Sequence, residues 1–393
     1  MSDRIYLEVN GVKYDGFKSL NYRKSIEELS GTFNFVATCD QKDTLPFIGQ
    51  ERCRIVLGDK PLITGFIETL KYQYTDIDHS VLIKGRDKAA DIIDSTVVST
   101  DGEGNIDFQA PISLQQIIQK TLILVGITGI TVINAVAGLQ DFSEEEIVVA
   151  KVGENVFDFF DKYARKRGVL LTSNGDGNIV ITRSSLEVLP GILVNQIGGS
   201  YNNIKAGDIS YDFTQRYYKY VVKSQANPSI EQEFVETDDL SGYEGTIGIA
   251  FDDEVRKTRV LEITGETVSV PKTNQERAQW EANIRRARSL IYTCDVSSLY
   301  SSEDAIYEPN KRIRVLDEMC RIDAIMIIRS VDYSLDESKG TRVTLELVPS
   351  DAYSLEASRN PLQIQYDKIG DGVLIPRQAT PNIDLSFLQS RPL

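Results

Sequence analysis

Near both ends of this chain apolar residues alternate with polar ones, and this two-residue period constrains its fold more than any other feature. Ile5, Leu7 and Val9 alternate with Tyr6, Glu8 and Asn10; Phe33 and Phe35, Ile55 and Leu57, and Ile63, Gly65 and Ile67 repeat the beat. It resumes at Val331, Tyr333 and Leu335, and again at Val343, Leu345 and Leu347. Successive side chains of an extended strand point to opposite faces, so such stretches read as half-buried strands. Asn10-Gly11 supplies a type I′ hairpin signal, and Asp336 to Gly340 turns the last pair into an antiparallel hairpin. Short strands at this spacing suggest a small barrel or sandwich at the N-terminal end.

Between these ends the texture is mixed. Ser113 and Gln116 form a capping box opening a helix through about Val125, with Gly126 as its stop. A second helix is expected from about Glu154 to Arg167, with Val156, Phe159, Phe160 and Tyr163 on one face and Gly168 ending it. Arg165, Lys166 and Arg167 crowd its last turn, where cations favour the helix dipole. The hairpin "VLLTSNGDGNIVITR" follows. Beyond Pro190 strands return, "YDFTQRYYKYVVKSQ" (211–225) among them; Glu231 to Glu254 is acidic and less patterned. Thr273 and Glu276 are expected to cap a helix striped by Trp280, Ile284, Ala287 and Ile291. After Tyr353 the patterning fades into a tail punctuated by Pro361, Pro376, Pro381 and Pro392, read as an extended arm. A chain of 393 residues exceeds one ordinary core. We therefore divide it into a first β unit (1–88), a mixed α/β unit (89–185), a second β unit (186–353) with an inserted segment and helix (about 231–291), and the arm (354–393).

Composition excludes several functions. A net charge of -15 argues against a nucleic-acid grip, which needs clustered Lys and Arg, and against anionic membrane surfaces. His79 is the single histidine, so His-rich metal sites are excluded. Cys39, Cys53, Cys294 and Cys320 form no CxxC pair and read as reduced core residues, with a Cys39–Cys53 bridge as the minor reading. "MSDRIYLEVNG" makes no apolar block, so no signal peptide is expected. The uncharged run Leu122 to Leu139 is broken by Gly126, Gly129 and Gly138, and reads as a helix end followed by a strand rather than a membrane span. "DGEGNID" (101–107) has Ile106 and Ile112 where a calcium loop needs glycine and glutamate, so it reads as a plain loop. The pairs Asp238/Asp239 and Asp252/Asp253 read as solvated acidic runs rather than a glycosidase pair, and no nucleophile elbow occurs. No catalytic, cofactor-binding or metal site is expected.

Five blocks in order carry a resemblance. "IKGRDKAADIID", "RKRGVLLTSNGDGNIVITR", "YDFTQRYYKYVVKSQ", the helix "RAQWEANIRRARS", and "PNKRIRVLD" continuing to "IIRSVDYSLDESKGTRVTLELVPSDAY" span about residues 3 to 353. Together they resemble the baseplate hub family of contractile phage tails typified by the Mu (gpP-like) hub. The positions that stand out within them are Gly85, Arg86, Asp87, Asp91, Asp94, Gly168, Trp280, Arg286, Pro309 and Asn310. At the first block Gly85 is expected to end a strand, Asp87 to cap a short helix, and Ala89, Ala90, Ile92 and Ile93 to pack inward. Arg86 and Lys88 are then available to carboxylates.

The resemblance implies a mainly β, α+β chain with two small barrel-like units and an α/β insert, forming a homotrimeric ring with pseudo-six-fold symmetry. Such a ring joins a hexameric tail tube to a trimeric central spike and encloses the passage for tape measure and DNA. The implied partners are the tail tube protein, the spike protein, the tape measure protein and baseplate wedge proteins, with no specific nucleic-acid binding and no cofactor. The implied location is the virion baseplate, assembled in the bacterial cytoplasm. The same pattern fits the hub of a phage-tail-like bacteriocin or contractile injection device. A tail-associated cell-wall hydrolase and a receptor-binding protein are the remaining alternatives.

Overall fold

The computed structural model describes residues 5–38, 48–76, 79–98, 104–144, 146–223, 247–264, 271–302, 305–338 and 340–354, and the backbone of 366–369 and 373–376. The first unit is all strand: β1 (Ile5–Val9), β2 (Val12–Tyr14), β3 (Ser19–Ser25), β4 (Thr32–Thr38), β5 (Arg52–Leu57), β6 (Lys60–Tyr74) and β7 (His79–Asp87). Asn10 and Gly11, both at positive φ, close the expected β1–β2 hairpin. Gly85 does not end β7. The strand continues through it to Asp87, pairing with β4 on one side and β6 on the other, because the glycine leaves room for a neighbour. A Cβ there would stand 2.2 Å from the Phe66 carbonyl oxygen and 2.5 Å from the Phe33 ring.

The middle unit runs α1 (Ala90–Asp94), β8 (Ile106–Phe108), α2 (Leu114–Leu124), β9 (Val132–Asn134), β10 (Val148–Ala150), α3 (Val156–Lys166), β11 (Leu170–Ser173) and β12 (Ile179–Thr182). The Ser113/Gln116 capping box forms in both directions, and α2 gives way to β9 within the uncharged run. Asn155 caps α3 by accepting from Phe157 and Asp158. Phe159, Phe160 and Tyr163 are fully buried among α2 and the small sheets. Among the described residues no helix is long and apolar enough to cross a membrane.

The second β unit contains β13 (Val188–Asn195), β14 (Ile204–Tyr211), the excursion β15 (Lys219–Lys223), β16 (Ile247–Phe251), β17 (Val260–Thr264) and α4 (Pro271–Ser289), then β18 (Leu290–Val296), β19 (Arg312–Asp317), β20 (Ile322–Asp336) and β21 (Gly340–Pro349). The last helix begins at Pro271, so Thr273 lies inside it rather than capping it; proline suits a first helical position. In the tail, β22 (Tyr366–Ile369) and β23 (Val373–Pro376) pair as a hairpin where the proline spacing suggested only extended chain. The acidic stretch to residue 246, including Asp238/Asp239, lies outside the described residues, as do Cys39 and residues 101–103 of the "DGEGNID" run.

The two β units repeat one plan. The first has the strand order β1-β5-β6-β7-β4-β3; the second has β13-β19-β20-β21-β18-β14. Both centre on a strand of 15 residues, β6 and β20. Each of these pairs through its first half with the 6-residue strand before it, and its ladder with the strand after it runs through a bulge. The bulge falls between Ile67 and Thr69 in β6, and between Ile328 and Ser330 in β20. Two differences stand out: β13 pairs with β19 in parallel where β1 pairs with β5 antiparallel, and only the second unit carries an excursion.

The units are fused edge to edge. β3 pairs antiparallel with the second half of β20, so both belong to one 13-stranded sheet, and the strand path is open rather than closed into barrels. Their side chains share one core that includes Leu7, Phe33, Phe35 and Ile55 from the first unit and Tyr292, Val315, Tyr333 and Leu345 from the second. Substituting Gly85→Ala is expected to lower the urea unfolding midpoint, by roughly 1–3 kcal/mol in stability, because a methyl group overpacks a site already in contact. An unchanged midpoint would show that Phe33 and the strand can move aside.

Candidate assembly interface

The residues Arg86, Asp87 and Lys88 form a structural corner. Arg86 holds Glu68 through Nε at 2.9 and 2.8 Å and reaches Asp94 on α1, so its carboxylates come from its own chain. Asp87 does not cap α1 in the usual way: the N-cap is Ala89, which has no side-chain cap. Instead one oxygen of Asp87 accepts from the Ala89 amide at 3.0 Å, while the other accepts from the Gly31 amide at 2.9 Å and from the Ser173 hydroxyl. One buried carboxylate therefore ties the β3–β4 turn, the α1 turn and the middle unit together. Burial raises its pKa against the pull of Lys24, Ser173, Gly31 and Ser30. Lys88, also buried, donates to the Gly129 carbonyl at 2.7 Å. Ala89, Ala90 and Ile92 are buried as expected, Ile93 half so, and Asp91 is exposed on α1.

A second clamp joins the two β units, and no sequence pattern announces it. Glu27, in the turn between β3 and β4, accepts from Arg288 at 3.2 Å, Arg329 at 3.0 Å and Tyr353 at 2.9 Å. Arg329 is the bulged residue of β20, and its carbonyl accepts from the Ile26 amide at 2.8 Å. Ile26 fills a small core with Trp280, Ile284, Ile327, Val348 and Tyr353. Partners some 300 positions apart leave no local pattern to read.

The remaining singled-out residues make their contacts within the chain, and they do not converge on one site. Gly168, at φ +56, ends α3. Arg286 spans Glu254 at 3.1 Å and Asp351 at 3.5 Å. Asn310, following Pro309, adopts a left-handed backbone, accepts from the Ser185 amide at 2.9 Å and donates to Thr182 and Arg183. It thereby pins the link between the middle and second β units. Two buried ion pairs correct the sequence reading. Arg167 does more than face the dipole: it lies over the Phe142 ring and pairs with buried Glu146 at 2.6 Å. Asp252 is not a solvated acid, since it takes both arms of buried Arg216 at 2.8 Å.

Among the described residues no group of His, Cys, Asp and Glu could hold a metal. Burial pushes the Cys53 thiol up to about 12, so it is no thiolate nucleophile. A cleft of about 630 Å³ opens where the three units meet, lined by Lys24, Thr172, Arg183, Glu308 and Asn310 among others. Burial lowers the Lys24 ammonium to about 8, opposed by Asp87 and Glu308.

Three family models match in chain order: Mu phage baseplate assembly protein GpP-like, N-terminal, at residues 4–87; baseplate hub protein gp44-like, second domain, at 89–183; and Mu phage baseplate assembly protein GpP, fourth domain, at 270–356. A repeated sheet matched in chain order by these models defines a structural component of a phage tail. The chain belongs to the Mu-type baseplate hub proteins, components of the virion tail baseplate. It is 24% identical over 362 residues to the baseplate hub protein gp44 of Escherichia phage Mu, covering 90% of this chain and 89% of that protein. Its fold is similar to the 43 kDa tail protein of prophage MuSo2 from Shewanella oneidensis (TM-score 0.70, 24% identity, 89% of this chain and 99% of that one). It is also similar to a tail protein from Neisseria meningitidis MC58 (TM-score 0.74, 16% identity, 89% and 97%).

Two measurements probe the fused units. Unfolded, Lys24 keeps its proton to about 10.5, and folded only to about 8, so between these values the unfolded chain binds more protons. Its contribution makes stability rise with pH across that window, by at most about 1.4 kcal/mol per pH unit. The parent should therefore gain stability relative to Lys24→Met from pH 8 to 10.5; parallel curves would contradict the burial of a charged lysine. Glu27→Ala strips one acceptor from three donors and should cost about 2–4 kcal/mol in chemical denaturation. A loss below about 0.5 kcal/mol would mean the strand pairing alone fastens the units.

Proposed function

We propose that three copies of this hub form a ring of six β units, joining a six-fold tail tube to a three-fold central spike and enclosing the passage for tape measure and DNA. The observation that carries this reading is the strand order repeated within one chain, bulge included. A ring that meets six-fold symmetry on one face and three-fold on the other needs two equivalent wedges per chain. Simultaneous engagement of repeated contacts then strengthens individually weak interfaces. The division at 1–88, 89–185, 186–353 and 354–393 assigns the ring to the two β units.

The singled-out residues serve in this reading as internal braces, and the chain works without catalysis. Baseplate wedge proteins and tape measure are further partners, and the net charge of -15 suits a lumen that repels DNA phosphates. The hub of a bacteriocin or injection device needs the same geometry, so its neighbours rather than its fold decide between them. Imaging of assembled particles should show three copies at this level, tube on one face and spike on the other. Six copies, or a single wedge per chain, would overturn the proposal. Purified protein should leave peptidoglycan turbidity unchanged, and clearing would instead favour a hydrolase.

A further inference from the structure

The duplication identifies two unpartnered strand edges that match each other. Inside the chain β3 occupies the side of β20 that β19 vacates, with Tyr333 opposite Tyr22 and Asp332 opposite Arg23. The same side of β6 is vacated by β5 after Phe66, and among the described residues no strand fills it from Glu68 to Tyr74. The counterpart of β3 is β14, which among the described residues pairs only with β18 and ends the strand path. One chain therefore has a donor edge and an acceptor edge that occupy the two positions already joined at its internal seam.

The bulges fix the register. Aligning β6 with β20 at this point puts Thr69 on Ser330, Tyr72 on Tyr333 and Tyr74 on Leu335. Following the pairings through β7–β4–β3 and β21–β18–β14 puts Tyr22 on Ile209 and Asn21 on Asp208. We propose that β14 of one copy adds antiparallel to the second half of β6 in a neighbouring copy, with Leu70 opposite Tyr211, Lys71 opposite Ser210, Tyr72 opposite Ile209, Gln73 opposite Asp208 and Tyr74 opposite Gly207.

That register follows from backbone pairing alone, and the side chains fit it. One face brings Leu70, Tyr72 and Tyr74 against Tyr211, Ile209 and Gly207. Leu70 and Ile209 already pack against the rim of the shared core, whereas Tyr72, Tyr74 and Tyr211 are 53%, 82% and 49% exposed. The opposite face brings Thr69, Lys71 and Gln73 against Asp212, Ser210 and Asp208. Lys71 then sits diagonally between two carboxylates, within reach of a long side chain. The internal seam has a hydrogen bond at the equivalent diagonal, Asn21 to Asp332 at 2.8 Å. Exposed strand edges bearing aromatic residues invite pairing, and here the edge that satisfies them belongs to another copy. Such a contact is head-to-tail, so it closes into a ring only when the rotation between copies permits.

The inference rests on the proposed trimer, and the test separates the two. In the full chain, Tyr72→Cys combined with Ile209→Cys should form disulfides between copies on mild oxidation, giving a covalent ladder ending at three chains; either substitution alone should not. Cross-linking by Tyr72→Cys with Ser210→Cys instead would overturn the register. A trimer by light scattering that fails to cross-link in either pair would overturn the edge pairing and leave the ring standing. A monomer that neither associates nor cross-links would overturn both. Lys71→Glu should lower the trimer fraction several-fold, and adding Asp208→Lys should restore most of it; circular dichroism confirms that these exposed changes leave the fold intact. Loss without restoration would count against the Lys71–Asp208 contact.

Discussion

The structure depends on β20 serving two partners along one edge. Its first half pairs with β19 inside its own unit, and its second half passes beyond the bulge to take β3 of the first unit. Arg329 occupies the bulge and turns outward to Glu27, so the residue that breaks the ladder also fastens the two units. Tyr22 and Tyr333 pack across this seam with their rings tilted and the centroids 5.8 Å apart. Backbone pairing, a carboxylate clamp and aromatic contact thus fall within a few residues, giving a rigid joint where two domains of one chain more commonly meet through a linker.

The middle unit is fastened just as firmly, by different means. Asp87 and Thr64 bind Ser173 and the Gly175 carbonyl of the β11–β12 hairpin, and Lys88 reaches Gly129. Gly175 has no room for a side chain, since a Cβ would stand 2.0 Å from the Pro61 carbonyl oxygen. On its other side Asn310 anchors residues 182–185 to the second β unit. The "GRDK" cluster, which could be mistaken for reactive chemistry, is explained by these three-way attachments.

The features legible in the sequence were those whose cause is local. The alternation of Ile5, Leu7 and Val9 became β1, Asn10-Gly11 became its turn, and Ser113 with Gln116 capped α2. Boundaries failed where a distant neighbour decided them. Gly85 looked like a strand end because glycine breaks strands, but the Phe33 ring and the Phe66 carbonyl hold the chain extended there. Asp87 resembled a helix cap, yet two of its three donors lie on other elements. Glu27, Glu146 and Asp252 carry the principal ion pairs, and nothing near them in sequence announces their partners. The duplication itself was hidden: the repeated strands share bulge position and burial pattern but few residues, because pairing geometry constrains the backbone more tightly than side-chain identity.

The asymmetry between the two frames carries a consequence for how such a chain can change. In the first, β3 passes to β4 through a short turn whose Ile26 and Glu27 are locked into the joint. In the second, the same link is opened from Asp212 to Ser289, and it holds a small sheet and a long helix. Lengthening is therefore tolerated at one of two otherwise matching corners and forbidden at the other. A lineage can elaborate one frame while its twin stays bare, so sequence novelty should accumulate in the second frame rather than the first.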